Sequence, residues 1–300
     1  MDTELFVRRQ PGGMFAIINK SLTTGNIYWV DSGNSNAKNG DGSGLNPDAP
    51  FAGIDYAIGK CVADQGDRIY VMSGHAESVV AAGGITCDVA DVQIIGLGRG
   101  ADRPTITFDT DGDATIVMSA ANVSFENFIF KNTKDGLVTG FPVTAAYCSF
   151  ENCEFIDLGA DNTLDWITLS TAADDFGILN CINKGTDTAG NQSFITIPAT
   201  SNVQIIGLRS NGDFEKANIE FTAAGIDVLI ADCYLENINA VDVNIEGYTA
   251  LTGWIARNCC QIPTDTQTTW INTPGSVSLF ENYGVNQPGE TGKIIGTASI

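Results

Sequence analysis

The sequence is poor in charged side chains, and above all in positive ones. Only 17% of its 300 residues are charged, and 15 lysines and arginines stand against 36 aspartates and glutamates, which gives a formal net charge of −21. A surface of this sign repels phosphate backbones and anionic lipid. We therefore expect neither nucleic acid nor a membrane among the partners of this protein.

Long apolar runs are also missing. No segment approaches the ~18 consecutive apolar residues that are needed to span a bilayer. The first ten residues, Met1 to Gln10, contain no apolar stretch after a basic region, so no secretory signal is expected. We predict that the protein is assembled in a host cytoplasm.

Metal-binding patterns are scarce as well. The chain has a single histidine, His75, and none of its eight cysteines forms a Cys-x-x-Cys pair, which argues against zinc and against a disulfide framework. The segment Asp109-Thr-Asp111-Gly-Asp113 has the carboxylate spacing of a calcium loop, but Ala114 and Ala120 replace the Gly and Glu of an EF-hand. We predict no metal ligands and no cofactor.

What the sequence does contain is a repeat of about 26 residues. In each unit the first and third residues are mostly apolar, the fifth is Gly, Asn or Asp, and the sixth is apolar. This alternation indicates a strand, and the fifth residue type tolerates a left-handed bend. The repeat therefore predicts an all-β fold, a parallel β-helix whose coils stack directly on one another. The eight units are Val92–Leu97, Val123–Phe128, Cys148–Cys153, Phe176–Cys181, Val203–Leu208, Val228–Cys233, Trp254–Cys259 and Ser278–Tyr283.

Stacking gives most cysteines a structural role. At the sixth position cysteine alternates with large apolar residues, so we interpret it as a small hydrophobic side chain inside the solenoid. Cys260 should then point outwards, and the asparagines of the fifth position should form hydrogen-bonded ladders along the axis. The predicted inward ladder comprises Leu97, Phe128, Cys153, Cys181, Leu208, Cys233, Cys259 and Tyr283.

The N-terminal part does not repeat. We interpret residues 1–26 as an arm that binds a partner, with Phe6, Arg8, Arg9 and Phe15 as its contact residues. Residues 27–300 form the predicted β-helix domain, in which apolar residues at helical spacing indicate a helix over about 50–62. This helix should cap the open end of the solenoid. Coils follow over about 66–283, and the tail is 284–300.

The chain resembles a known family at this point. The segments Tyr28-Trp-Val-Asp-Ser-Gly33, Asn46-Pro-Asp-Ala-Pro-Phe51, Gly66-Asp67 and Ile69-Tyr-Val71 are similar to the opening of pectin-lyase-like right-handed β-helix proteins. The resemblance implies a right-handed β-helix, a fold that hosts lyases, hydrolases, adhesins and virion proteins. With Ser73–Val79, the opening most resembles uncharacterised β-helix proteins of tailed phages. That likeness implies that His75 is a turn residue, not an acid–base catalyst.

No catalytic residue is predicted. Resemblance to pectate lyases implies calcium-binding aspartates and a basic proton abstractor, but seven of the eight units lack Lys and Arg. A glycosidase would need two carboxylates ~5–9 Å apart. Acidic loops on adjacent coils could supply such a pair, although acidic loops are expected anyway in so acidic a chain. The candidates are Asp157, Asp161, Asp165, Asp174 and Asp175.

The leading hypothesis is a structural protein of a phage virion, a homotrimeric decoration protein on the capsid surface. Its arm would bind the major capsid protein. A first alternative is a tail fibre or tailspike that binds or cleaves surface polysaccharide, which would need a groove lined by aromatic side chains and paired carboxylates. A second alternative is a bacterial polysaccharide lyase.

Overall fold

The computed structural model describes residues 25–158, 162–186, 190–239, 243–262, 270–273 and 276–285, together with the backbone of three short strands, Phe6–Arg8, Phe15–Ile17 and Lys293–Ile294. The predictions made for Arg9, for Asp161 and for most of the tail 284–300 lie outside the described residues.

The chain winds through three sheets in the same order in every coil. Strands of successive coils pair in parallel, and the eight strands of the third sheet define eight complete coils. Sheet 1 contains Ile27–Val30, Asp67–Val71, Val92–Gly96, Ser124–Glu126, Ser149–Glu151, Gly177–Leu179, Gln204–Ile206, Val228–Ala231, Thr252–Ala256 and Ser276–Phe280. Sheet 2 contains Ala76–Val79, Thr105–Phe108, Ile129–Asn132, Glu154–Asp157, Ile182–Lys184, Arg209–Gly212, Tyr234–Asn237, Cys259–Gln261, Tyr283–Val285 and the antiparallel Lys293–Ile294. Sheet 3 contains Ile85–Cys87, Ile116–Met118, Leu137–Val143, Thr163–Leu169, Asn191–Ile197, Phe214–Phe221, Ile245–Glu246 and Ile271–Asn272.

Equivalent residues of successive coils lie directly above one another, as the period predicts. In sheet 1 one inward column joins residues whose neighbours are 25 to 31 positions apart, and all of them are fully buried. Parallel pairing at ~4.8 Å per coil turns this spacing into a continuous apolar interior. The column consists of Ile94, Phe125, Phe150, Ile178, Ile205, Ile230 and Ile255.

Aromatic rings fill the middle of the solenoid. Phe141 of sheet 3 lies between rings of the other two sheets, with its centroid 4.7 Å from that of Phe130 and 4.8 Å from that of Phe150. All three are fully buried. Edge-to-face contacts of this kind add stability beyond the apolar area that they bury.

The predicted left-handed bend lies at the corner between sheets 1 and 2. A single residue in the left-handed conformation turns the backbone here, so two strands of one coil meet at a sharp angle. In the first unit a loop with a short 3₁₀ helix, Gly100–Asp102, replaces the bend, and Leu97 is only half-buried. The bend residues with φ between 52° and 69° are Asn127, Asn152, Asn180, Gly207 and Asp232.

In the last two units the predicted register is wrong by one residue. The left-handed positions are Arg257 and Glu281, and Asn258 and Asn282 lie inside, fully buried. The Nδ2 of Asn258 donates to the Oδ1 of Asn282 at 3.0 Å, so the predicted amide contact exists for this pair, but in the interior. At the left-handed bends Asn127 instead donates to the backbone carbonyl of Gly96 at 2.7 Å, and Asn152 donates to Glu151 of its own coil.

This slip reverses the faces of the residues that follow, because strand side chains alternate. Cys259 pairs with Tyr234 and is half-buried, and Tyr283 is 48% exposed, so neither belongs to the inward ladder. Cys260, which we expected to point outwards, is fully buried.

The other members of the ladder lie in the interior. Phe128 and Leu208 are fully buried, and three cysteines each direct their Sγ towards a backbone carbonyl of the preceding coil at 3.5–3.6 Å. Burial raises the pKa of these thiols where a shift is resolved, to about 12 for Cys233. None of the eight cysteines forms a disulfide. The three donor–acceptor pairs are Cys153 with Phe125, Cys181 with Phe150 and Cys233 with Ile205.

A second row of left-handed residues precedes sheet 1, and the sequence interpretation missed it. Its residues pair along the axis: the amide of Asn122 donates to Asp91 at 2.5 Å, and the amide of Asn202 donates to Asp175. These polar contacts hold successive corners in register. The row contains Asp91, Asn122, Tyr147, Asp175, Asn202 and Asp227.

The N-terminal helix is shorter than the predicted 50–62 span. It covers Ile54–Ile58, because Phe51 is still extended and forms a parallel bridge with Val30. Ile54, Ala57 and Ile58 are buried, and the helix packs against the first strands of sheets 1 and 3. It therefore covers the open end of the apolar interior, as a cap should.

Candidate functional site

Sheet 3 carries polar side chains on its outer surface in three consecutive coils. Asp165 pairs in register with Ser193 of the next coil, and Thr196 of that coil pairs with Glu220 of the coil after it. The outward positions of a parallel sheet form rows. Asp165 and Ser193 belong to one row and Thr196 and Glu220 to a neighbouring row, and Ser193 is only 1% exposed beneath the others. These four residues form a polar patch in which each of two carboxylates accepts from a hydroxyl group.

Each of the two hydroxyls of the middle coil binds one of the two carboxylates. The Oγ1 of Thr196 donates to the Oδ1 of Asp165 at 2.8 Å, and the Oγ of Ser193 donates to the Oε2 of Glu220 at 3.0 Å. Burial raises the pKa of Asp165 to about 6, with a further contribution from the charge of Glu220 and opposition from the Thr196 hydroxyl. A carboxyl that titrates near pH 6 can hold and release a proton under mild conditions.

The other predicted carboxylates that the structure describes do not join this patch. Asp174 accepts from the backbone N–H of Ser201 at 2.6 Å, and Asp175 accepts from the amide of Asn202, so both serve corners of the solenoid. Glu220, the partner that Asp165 does have, was missed because it lies two coils further along the chain. Its signal in the sequence is the row Thr168, Thr196 and Glu220.

Asp157 points into the solenoid and is 6% exposed. Its carboxylate accepts from the Thr163 hydroxyl at 2.6 Å, from the Asn132 amide at 3.4 Å and from the Asn191 amide at 3.2 Å. Burial raises the pKa of Asp157 to about 6, although these donors oppose the shift. A group so enclosed is a structural element and cannot meet a large substrate.

An ion-pair cluster lies on the outer surface of sheet 2. Glu154 binds both Arg103 and Lys184, and Arg103 also donates to the backbone carbonyl of Asn152 at 3.2 Å. Burial alone would raise the pKa of Glu154, but the two cations outweigh it and the pKa is lowered. The cluster joins the loop before sheet 2 to two further coils.

Beside this cluster runs a shallow groove of about 320 Å³. Tyr234, which is 38% exposed, lies at one side of it, and its hydroxyl donates to the Oε1 of Gln261 at 2.6 Å. The groove thus offers charged, amide and aromatic groups on three successive coils. Its outward lining residues are Ile182, Lys184, Arg209, Asn211, Tyr234 and Glu236.

The predicted arm contains a β-hairpin. Phe6–Arg8 and Phe15–Ile17 form a two-stranded antiparallel sheet, in which Phe6 pairs with Ile17 and Arg8 pairs with Phe15. This sheet is separate from the three sheets of the solenoid. Phe6, Arg8 and Phe15 are therefore brought together by backbone pairing.

His75 anchors the N-terminal cap. It is 1% exposed, its Nδ1 accepts from the backbone N–H of Ser32 at 2.9 Å, and its Nε2 lies 3.1 Å from the Oε2 of Glu77. Because Nδ1 is an acceptor, the proton of the neutral ring is on Nε2. Glu77 in turn accepts from the backbone N–H of Ile54, the first residue of the capping helix, at 3.0 Å. These contacts therefore join the first coil of the solenoid to its N-terminal cap.

Within the described ranges, no group of three or more His, Cys, Asp or Glu side chains is arranged to hold a metal ion. In the segment Asp109–Asp113 the Asp111 carboxylate instead accepts from the backbone N–H of Asp113 at 3.0 Å. A search of the same residues finds no helix with the length and apolar character needed to cross a bilayer.

Comparison with known proteins identifies structures with a similar fold. Neither a protein-family model nor a curated protein matches this chain. Among solved structures it is similar to a rhamnogalacturonan lyase, with a TM-score of 0.56 and 13% identity over 87% of this chain and 74% of that one. It is also similar to ORF18 of Geobacillus virus E2, with a TM-score of 0.45 and 15% identity over 88% of this chain and 62% of that one. The first likeness confirms the predicted right-handed, pectin-lyase-like parallel β-helix, and at this identity it shows the fold alone.

Proposed function

We propose that this chain is a structural protein of a phage virion, a capsid decoration protein that forms homotrimers and binds the major capsid protein through its N-terminal arm. The observation that carries the proposal is the hairpin of Phe6–Arg8 and Phe15–Ile17, which belongs to none of the sheets of the solenoid. The phage assignment is supported by the resemblance of the segment 27–79 to β-helix proteins of tailed phages.

A two-stranded hairpin on its own is at best marginally stable in water. Its outer strand edges also present unpaired backbone groups, which a partner can bind by extending the sheet. The arm combines such a hairpin with basic residues, Arg8 and Arg9, in a chain of net charge −21. A partner surface that supplies a sheet edge and negative charge would stabilise it.

Deleting residues 1–24 should abolish binding to purified capsids while the β-helix stays folded. The truncation ends before Gly25 so that Asn26 keeps its contacts with the buried carboxylate of Asp67. The backbone N–H of Asn26 donates to this carboxylate at 2.6 Å, and its side-chain amide donates at 3.2 Å. Co-sedimentation of truncated and full-length protein with capsids that lack it measures the loss, and far-UV circular dichroism checks the fold. Capsid binding by the truncated chain at full affinity would refute the role of the arm.

A pair of charge-reversal variants refines this experiment. The variant with Arg8→Glu and Arg9→Glu should weaken capsid binding at least tenfold. The control with Lys38→Glu and Lys216→Glu makes the same change in charge at two exposed lysines of the solenoid and should leave binding unchanged. Counting copies in purified virions separates decoration from a tail role. Hundreds of copies per particle support decoration, and a handful would assign the protein to the tail.

A second candidate function, cleavage of a polysaccharide, is favoured by Asp165 and Glu220. Their strands are two coils apart, and each carboxylate accepts from a hydroxyl of the strand between them, so the two groups approach each other from either side of that strand. Inverting glycosidases likewise hold two carboxyl groups apart, at ~6.5–9.5 Å, with room for a water molecule. Asp165, whose pKa is raised to about 6, would act as the general acid, and Glu220 would activate water. Activity should therefore fall as the pH rises above about 6.

On a capsular or cell-wall polysaccharide from the host, Asp165→Asn and Glu220→Gln should each lower the rate at which reducing ends appear by at least ~100-fold. Glu215→Gln is the matched control, because Glu215 lies on the same strand as Glu220 and is exposed. If the wild-type protein releases no reducing ends from any host glycan, this second function is rejected.

A further inference from the structure

The outward positions of sheet 1 in its last four strands carry no charge. Two rows run along this surface, which we call the C-terminal outer face, and their residues are in register from one coil to the next. Trp254 is 59% exposed and Phe280 is 51% exposed. Large apolar side chains that are exposed together on one face indicate an interaction site. The rows are Gln204, Leu229, Trp254 and Ser278, and Ile206, Ala231, Ala256 and Phe280.

The same rows differ nearer the N-terminus. There they contain Arg68, Glu126 and Glu151, and Glu126 is stacked directly on Glu151. Burial, with the charge of Glu151 as a second cause, raises the pKa of Glu126. The row that ends with Phe280 also begins with large side chains, but there Trp29 and Tyr70 are half-buried and stack on each other. The C-terminal outer face is therefore distinct from the rest of the sheet in its lack of charge and in the exposure of its aromatic side chains.

Apolar surface continues around the corner onto sheet 2. Tyr234 is 38% exposed and Tyr283 is 48% exposed, with Cys259 between them in the same row. At the corner itself the guanidinium of Arg257 makes two hydrogen bonds of 2.7 Å to Asp232, so these two charges neutralise each other. The chain thus presents two aromatic surfaces on adjacent faces. The edge between them carries the paired Asp232 and Arg257 and, at the next corner, exposed Glu281, so it keeps one negative charge.

The four exposed aromatic rings supply an area that matters for binding. At ~200 Å² for each aromatic side chain, their exposed fractions correspond to about 400 Å² in total. Exposed aromatic surface of this size marks interaction sites. Because a head-to-tail contact uses one of the two surfaces from each chain, the rings supply about 200 Å² per partner, a quarter of the ~800 Å² that each partner buries in a standard interface. Aromatic side chains at the centre, with a polar rim, are the usual arrangement of such interfaces.

We propose that the C-terminal outer face packs against a second copy of this chain, on the row that contains Tyr234 and Tyr283. Two copies with a charge of −21 repel each other wherever acidic surfaces meet, and the uncharged face removes that repulsion at the contact. Because the two surfaces differ, the contact is head-to-tail in type, and such a contact forms a closed ring when the rotation between copies divides a full turn. Three copies around one axis give each surface a partner, which is the trimer of the proposed function.

The inference rests on that proposed trimer, but its test uses the purified chain alone. Failure to self-associate and failure to bind capsids are therefore separate results. At micromolar concentration the wild-type chain should sediment with three times the 31.7 kDa mass of one chain. The double variant Trp254→Glu, Phe280→Glu should sediment as a monomer, with the dissociation constant raised at least 100-fold.

The control is the double variant Val80→Glu, Val138→Glu. It makes the same change in charge at residues of similar exposure, 51% and 47%, on other surfaces, and it should remain trimeric.

In the wild type, Cys259 should react with iodoacetamide at least tenfold more slowly than in the monomeric variant, as measured by peptide mass spectrometry. If the glutamate variant does not fold, Trp254→Ser, Phe280→Ser replaces it. A monomeric wild type, or a trimer that survives the substitutions at Trp254 and Phe280, would overturn the inference.

Discussion

Replacement of Phe141 with alanine should lower the free energy of unfolding by about 3–5 kcal/mol, because a fully buried ring is lost and a cavity remains. The ring contacts five others, two of which, at 4.7 and 4.8 Å between centroids, are close edge-to-face pairs. Those five belong to three successive coils, so the cavity would weaken the interfaces of its own coil with both neighbours. The contacts are with Phe108, Phe125, Phe130, Phe150 and Phe155.

Urea denaturation followed by far-UV circular dichroism measures this loss. Tyr248→Ala is the control, because Tyr248 is also aromatic but 46% exposed, and its replacement should change the free energy of unfolding by no more than about 0.5 kcal/mol. Equal effects of the two substitutions would show that Phe141 does not occupy the centre of the interior.

Asp157→Asn should stabilise the protein at pH 8, by on the order of 3 kcal/mol. Burial raises the pKa of Asp157 from 3.8 to about 6, so at pH 8 the folded protein holds an ionised group in a place that favours the neutral form. An asparagine is neutral at every pH. Its Nδ2 can face Asn191 if that amide rotates, which is feasible because the Oδ1 of Asn191 has no hydrogen-bond partner.

The pH dependence has a definite sign. Between about pH 4 and pH 6 the folded state binds the proton of Asp157 more tightly than the unfolded state does, so acidification stabilises the wild type in this window. The advantage of Asp157→Asn should therefore shrink as the pH falls from 6 to 4 and vanish below it. Asp109→Asn, at an exposed carboxylate, should change the stability by no more than about 0.5 kcal/mol at either pH. An advantage of Asp157→Asn that is the same at pH 4 and pH 8 would contradict this account.

The fold could be predicted because only one architecture buries the apolar positions of this repeat. A strand, a bend and a second strand every 26 residues or so can bury their apolar positions only by stacking. The register of the last two coils could not be predicted from residue type. Asparagine is the expected bend residue, but here Arg257 and Glu281 bend, and Asn258 and Asn282 are paired inside.

Of the two carboxylates of the candidate site, only Asp165 could be predicted from the sequence, for a related reason. Asp165 stood out as an acidic residue of a loop-rich segment, whereas Glu220 is significant only through its row. That row depends on how many residues each intervening coil contains, and the coils differ: Thr168 and Thr196 are 28 positions apart, but Thr196 and Glu220 are 24. Variable coil length thus hides axial neighbours that a strict period would reveal.

The reversed strand at the C-terminal end of sheet 2 sets a limit on growth. Its pairing with Tyr283 and Gly284 is antiparallel, so the next layer of hydrogen-bonding groups no longer matches that of a parallel coil. At the opposite end the short helix Ile54–Ile58 covers the first layer. A repeat architecture can in principle polymerise end to end into fibres, as stacked strands do in amyloid. At the positions that these two elements cover, the parallel pairing that joins one coil to the next is hindered, which favours association through the sides of the solenoid.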